Sequence, residues 1–308
     1  MDTFLAYASR GRNAWWRYLL TPVLAALFTF LTLLVITGAL FLMHLLPPGI
    51  AAQMQQPKYI VPFYLGIAAS FGLLTAGLAL AAFLVQRKRP SDLIGQWRWQ
   101  FFVLGLATWT GVQILLAGVD YAIAPAGFAL ALNAGTALLA STALVGILVQ
   151  TFAEEFIFRG YVTQGLALAF KKPLPAAVVS GMLFGSLHIP NGIPQAVNAV
   201  IFGIVCALIA IRTGGIALTF GLHLANNYFG AVVVVSGSDV FKGSPGIVAQ
   251  TTPHLLWWDL GLGTLALAAM LWWIFRRPYF AAGPAAQTPT VNGVYQFPAS
   301  SVADSTRR

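Results

Sequence analysis

Phe152-Ala-Glu-Glu-Phe-Ile-Phe-Arg-Gly-Tyr161 sets two carboxylates and a guanidinium in the middle of an otherwise apolar run. Glu154 and Glu155 are the only glutamates in 308 residues, of which 58% are hydrophobic and 8% charged. A soluble domain carries about a quarter charged residues, so this composition reads as an all-α polytopic membrane protein. An ionisable side chain at membrane depth costs roughly 2.5–3.5 kcal/mol even on the lenient insertion scale and marks a functional site by default. Helical spacing divides the three groups. Glu155 and Arg159 are four apart, acid first, the favourable order for an ion pair on one face. Glu154, turned by about 100° from its neighbour, is left without that partner and is the better candidate for chemistry.

Outward from this stretch, the requirement of about 20 apolar residues per crossing gives eight transmembrane helices. They run over Pro22–Leu46, Tyr59–Val85, Phe101–Val119, Gly135–Arg159, Leu174–His188, Pro194–Ile211, Ile216–Val235 and Leu255–Phe275. If these alternate, fourteen of the 17 Lys and Arg fall on one side, which places both termini in the cytoplasm. The other side receives Lys58 and Lys242, and Arg159 lies within the motif. The net charge of +9 is therefore spread over short loops and argues against nucleic-acid binding. The apolar run after the N-terminal charges is longer than a signal-peptide core of about 7–15 residues, so the first helix is expected to stay as an anchor. Cys206, the single cysteine, cannot form an intramolecular disulfide. Tryptophan pairs at Trp15/Trp16, Trp97/Trp99, Trp257/Trp258 and Trp272/Trp273 fall near span ends, as interface anchors do. The chain divides into a three-helix region over 1–125, a four-helix core over 135–235, a loop with the last helix over 236–278, and a disordered cytoplasmic tail over 279–308.

Two further polar sets lie within these spans. Gly181, Gly185 and His188 share a face of the fifth helix, with Phe184 one turn before the histidine. A small-residue face lets a neighbouring backbone come close and brings His188 against another helix. His223 and Asn227, four apart on the seventh helix, share a face as well. At about 1.5 Å per residue, Glu154, His188, His223 and Asn227 reach similar depths between the inner half and the middle of the bilayer. The fifth helix is only about fifteen residues long before Ile189-Pro-Asn-Gly192 ends it, and non-helical backbone at depth must line a cavity or be covered by protein. The expectation is an intramembrane polar cavity with His188 at its wall. Asn198 is a candidate supporting group; His44, His254, Asp120 and Asp259 are read as incidental.

Glu154-Glu155-x-x-x-Arg159, Phe184-x-x-x-His188 and His223-x-x-x-Asn227, in this order on successive helices, resemble the CPBP family, the type II CAAX prenyl endopeptidases with their bacterial relatives, also called Abi proteins. The resemblance covers about 100 residues, from roughly Leu138 to Val235. It implies an eight-helix intramembrane endopeptidase with a site open toward the cytoplasm, in the plasma (inner) membrane of a bacterium. It also implies a peptide or lipidated protein as substrate, with membrane lipids around it. Carried over, Glu154 is the essential glutamate, His188 helps it activate water, His223 and Asn227 stabilise the oxyanion, and Glu155, Arg159 and Phe184 support them.

Elementary chemistry agrees: hydrolysis needs a base for water and donors aimed at the oxyanion. Zinc held by Glu154, His188 and His223 is the competing mechanism. No H-E-x-x-H spacing is present and Asn is a poor zinc ligand, so glutamate-activated water without a cofactor is favoured. Two other classes stay open: a non-enzymatic bacteriocin-immunity or scaffold protein of the same fold, and a transporter using the buried carboxylate.

Overall fold

The computed structural model describes residues 2–251, 256–283, 290–291 and 294–295. Each of the eight predicted apolar segments is helical. In chain order the helices are α1 (Asp2–Ala8), α2 (Trp15–Leu42), α3 (Ile50–Gln53), α4 (Ile60–Ala81), α5 (Pro90–Ile94) and α6 (Trp99–Ile123). Then come α7 (Gly135–Glu155), α8 (Thr163–Phe170), α9 (Pro173–Ser186), α10 (Ile193–Thr213), α11 (Ala217–Tyr228) and α12 (Leu256–Arg276). Among the described residues, six helices are long and apolar enough to cross a membrane, and α9 is a shorter apolar helix. The chain is a multi-pass integral membrane protein. The predicted fourth span runs further than the sequence suggested: α7 passes through a π-helical turn, Phe156–Val162, straight into α8, making one element over Gly135–Phe170. Another π turn, Phe229–Val233, continues α11 directly after its motif, and a further one, Ala82–Gln86, extends α4.

The first 125 residues are interleaved with the core. α4 packs on α7, α6 on α11, and α2 on α4. α1 folds back so that the buried Phe4 meets Ala167, Ala176, Ala210 and Ile211. α9 and α10 form a close pair because Gly181 and Gly185 face α10. A Cβ on Gly185 would fall 2.9 Å from the Ala196 carbonyl oxygen and from the Val200 nitrogen, so the sequence expectation for this face is met by backbone approach.

The two ends of the bundle differ. At one end, Arg10 pairs with Asp92 at 2.9 Å, Lys88 donates to the Ala8 carbonyl, and the 94–96 turn is tied to 214–216 by Gln96 N–H to Gly214 O and Ile216 N–H to Ile94 O. This is the end that carries the basic loops. At the other, a three-stranded sheet joins the connections: β1 (Phe128–Leu130) lies antiparallel and β2 (Val234–Ser236) parallel to the central β3 (Val248–Gln250).

The segment predicted as a disordered tail begins with structure. Pro278–Phe280 is a 3₁₀ turn whose Phe280 is buried against Phe101 and Trp273, and the Ala282 N–H reaches the Arg212 carbonyl. An aromatic anchor between alanine- and proline-rich residues has no periodicity to show in sequence. Further on, β4 (Thr290–Val291) pairs with β5 (Val294–Tyr295). The rest of that tail and His254 lie outside the described residues. Trp15, Trp99, Trp257, Trp258 and Trp272 stand exposed near helix ends, where interface anchors belong. Trp97 instead stacks inward on Phe102 and Phe220.

Candidate active site

Glu155 and Arg159 form the expected pair, 2.9 Å apart and both fully buried. The Glu155 carboxylate is not the sole support of this guanidinium. Its Cζ lies 4.6 Å from the Phe184 ring centroid and 6.0 Å from that of Phe202, a cation–π sandwich inside the protein. Phe184 thus supports the site through Arg159 as well as through His188, whose ring lies 4.6 Å from its own.

His223 joins the first motif to the third. Its Nδ1 is 2.9 Å from Glu155 Oε1 and its Nε2 is 3.3 Å from Glu154 Oε2. The proton positions follow from a chain of donors that begins at Trp109, because an indole N–H can only donate. Trp109 Nε1–H donates to Asn226 Oδ1 at 3.1 Å. Asn226 must then offer its amide hydrogens to Asn227 Oδ1, also at 3.1 Å. Asn227 is thereby oriented with its Nδ2–H donating to His223 Nε2 at 3.3 Å. With Nε2 an acceptor, the ring proton sits on Nδ1 and is donated to Glu155. The ring N–H that the resemblance assigns to an oxyanion is in this arrangement spent on Glu155. Asn227 keeps the second hydrogen of its amide.

Glu154 accepts from Gln150 Nε2 at 3.3 Å through Oε1, while its Oε2 has no hydrogen-bond partner among the described residues. That oxygen lies 3.3 Å from His223 Nε2, the nitrogen that accepts from the Asn227 amide. His188 caps α9. Its Nδ1–H donates to the Phe184 carbonyl at 2.9 Å; a carbonyl only accepts, so Nε2 carries the lone pair.

A cavity of about 330 Å³ is lined by His188, His223 and Asn227 together with Trp109, Gln150 and Phe184. Glu154 is not itself in the lining and touches two residues that are, Gln150 and His223. Asn198, singled out in the sixth span, is also in the lining. So are Asp120, Asp239 and Asp259, two of which the sequence reading set aside. Asp120 is buried, accepts from Gln250 at 3.2 Å and has Asp259 against it. Asp239, in the loop after β2, has its carboxyl raised above the usual range by burial, opposed by the Val240 N–H. The sequence signal was an aspartate near the end of each of two apolar helices, which reads equally well as an interface residue. His44 lies at the end of α2 and outside the cavity lining.

Zinc is the competing reading for Glu154, His188 and His223. Among the described residues no three His, Cys, Asp or Glu form a group that could hold a metal ion. Both nitrogens of His223 are already engaged.

Residues 136–229 match the family described as "Type II CAAX prenyl endopeptidase Rce1-like". This stretch is Rce1-like. The match supports an endopeptidase activity within the membrane. The chain is also similar to "Uncharacterized protein YyaK" of Bacillus subtilis (strain 168), at 27% identity over 266 residues, covering 80% of this chain and 87% of that one. No solved structure matches. The Rce1-like stretch holds all seven motif residues, from the first turn of α7 to the end of α11. Trp109, Asp120, Gln250 and Asp259 lie outside it and reach the same cavity by tertiary packing.

Proposed function

We propose that this protein is an intramembrane endopeptidase of the CAAX-protease kind, hydrolysing a peptide bond of a membrane-associated or lipidated peptide with water activated by Glu154. The observation that carries this reading is Glu154 Oε2: buried, without a hydrogen-bond partner among the described residues, and 3.3 Å from the Nε2 of His223, which lines the polar cavity. Glu154 takes one proton of a water whose oxygen bonds to the scissile carbonyl carbon. The lone pair of His188 Nε2 accepts the water's other hydrogen and orients it. The free hydrogen of the Asn227 amide is donated to the oxyanion, a contact worth about 10²–10³ in rate. Glu154 then returns the proton to the leaving nitrogen as the C–N bond breaks. Glu155 and Arg159 hold His223 in place. The charge bias of the loops supports a cytoplasmic location for both termini, and likeness to a Bacillus subtilis protein supports a bacterial plasma membrane.

The test is cleavage of a peptide library by detergent-purified protein. Glu154→Gln, nearly isosteric, is expected to lower the rate by about 10²–10⁴-fold, the usual share of a general base. Wild-type activity is expected to survive a tight chelator. Undiminished cleavage by Glu154→Gln removes the base assignment, and activity lost to the chelator and restored by zinc replaces the mechanism. If neither Glu154, His188 nor His223 matters to any cellular phenotype, the non-enzymatic reading of the fold takes over.

A further inference from the structure

The direction in which the cavity runs decides what can enter it, and this direction is the reverse of the one implied by the resemblance. From the His223–Asn227 pair the lining continues to Asn191, Gln195, Ser236, Ser238, Asp239 and Val240. Gln195 is in the first turn of α10, Ser236 ends β2, and the others belong to connections, all at the end of the bundle that carries the three-stranded sheet. Asn191 and Val240 are exposed there, and Gln195 Nε2–H donates to the Ser238 carbonyl across the rim at 3.1 Å.

The opposite end is shut. On the basic-loop side of His223, Phe152 packs edge-on to Phe220 at 5.5 Å, Phe220 lies 5.2 Å from Phe102, and Phe102 stacks on Trp97 at 6.2 Å. Beyond these rings, Gln164 Nε2–H donates to the Asp92 carbonyl, and the 94–96 turn closes on 214–216. Among the described residues no Lys or Arg lines the cavity; the loops that hold nearly all of them are at the closed end.

We infer that the substrate reaches Glu154 from the membrane face opposite the basic loops, which the positive-inside rule makes the extracytoplasmic face. The substrate class is then a peptide segment exposed on that face, such as the stretch flanking a membrane anchor of an exported polypeptide, rather than a tail presented from the cytoplasm. The inference rests on the proposed peptidase only for the word substrate, since the access route is a property of the cavity.

The experiment uses single-cysteine substitutions in the full chain, in sealed right-side-out and inverted vesicles, with a membrane-impermeant thiol reagent. The native Cys206 is fully buried and gives no background. Gln113→Cys, in the cavity wall, is expected to react from the outside, and Lys172→Cys, in a basic loop, from the inside. Asn191→Cys at the rim gives the same reading should the Gln113 variant fail to fold. Reaction of Gln113→Cys and Asn191→Cys from the same side as Lys172→Cys overturns the inference, as does protection of both from both sides. A peptide cleaved only when added outside right-side-out vesicles supports it further. Labelling as expected with no cleavage of any peptide retires the peptidase and leaves the access route standing.

Discussion

Trp109 is the residue whose part in the site is hardest to see in sequence and easiest to state in hydrogen bonds. Its indole is the one member of the Trp109–Asn226–Asn227–His223 chain that cannot reverse its role, so it fixes the direction of every bond after it. Trp109→Phe keeps the apolar packing against Phe202 and removes the donor. A hydrogen bond of about 1 kcal/mol net corresponds to roughly a fivefold fall in kcat with KM unchanged. An unchanged kcat shows that the amides hold their orientation by other means. Glu155 and Arg159 were legible from the order and spacing of two opposite charges, because an i,i+4 pair on a helix needs no tertiary information.

At the scale of elements, the short α9 and its small-residue face bring His188 to the cavity. Gly185 lets α10 approach within a distance that no side chain tolerates. Gly185→Ala is expected to cost about 1–3 kcal/mol, the usual penalty of overpacking, read as a lower thermal midpoint in detergent. Its loss of kcat should exceed that of a surface control, since His188 is only three residues further along. Wild-type midpoint and rate in this variant mean that the helices can part without consequence. Two of the three motif helices, α7 and α11, pass into a π turn, Phe156–Val162, which holds Arg159, and Phe229–Val233, directly after Asn227; another such turn, Ala82–Gln86, follows α4. Such turns gather at functional sites. A sequence of ordinary helix formers carries no sign of the extra residue, and for that reason the fourth span ran on past Arg159 unannounced.

For the molecule as a whole, the end with the basic loops is a packed structure rather than a fringe of solvated charge. Lys88 is buried there, donating to the Ala8 carbonyl and so tying α1 to the bundle. Burial pulls its ammonium down to about 8, against the upward pull of Asp92 and with a smaller downward push from Arg10. In the unfolded chain this group keeps its proton up to about 10.5. Between pH 8 and 10.5 the unfolded state therefore holds more protons, and stability rises with pH by up to about 3 kcal/mol over that window; below pH 8 the contribution is constant. Thermal midpoints measured from pH 7 to 10.5 should show this rise in the wild type and lack it in Lys88→Met. Parallel curves for the two proteins refute it. What the sequence by itself determined was local: apolar lengths that make spans, one helical face per motif, and the like depth of Glu154, His188, His223 and Asn227, all of which follow from 1.5 Å and 100° per residue. Which nitrogen of His223 meets which glutamate, the recruitment of Trp109 and Asp120, and the way the cavity opens were decided only by the packing of helices distant in the chain. A void and its mouth belong to the space between elements, and helical periodicity describes each element alone.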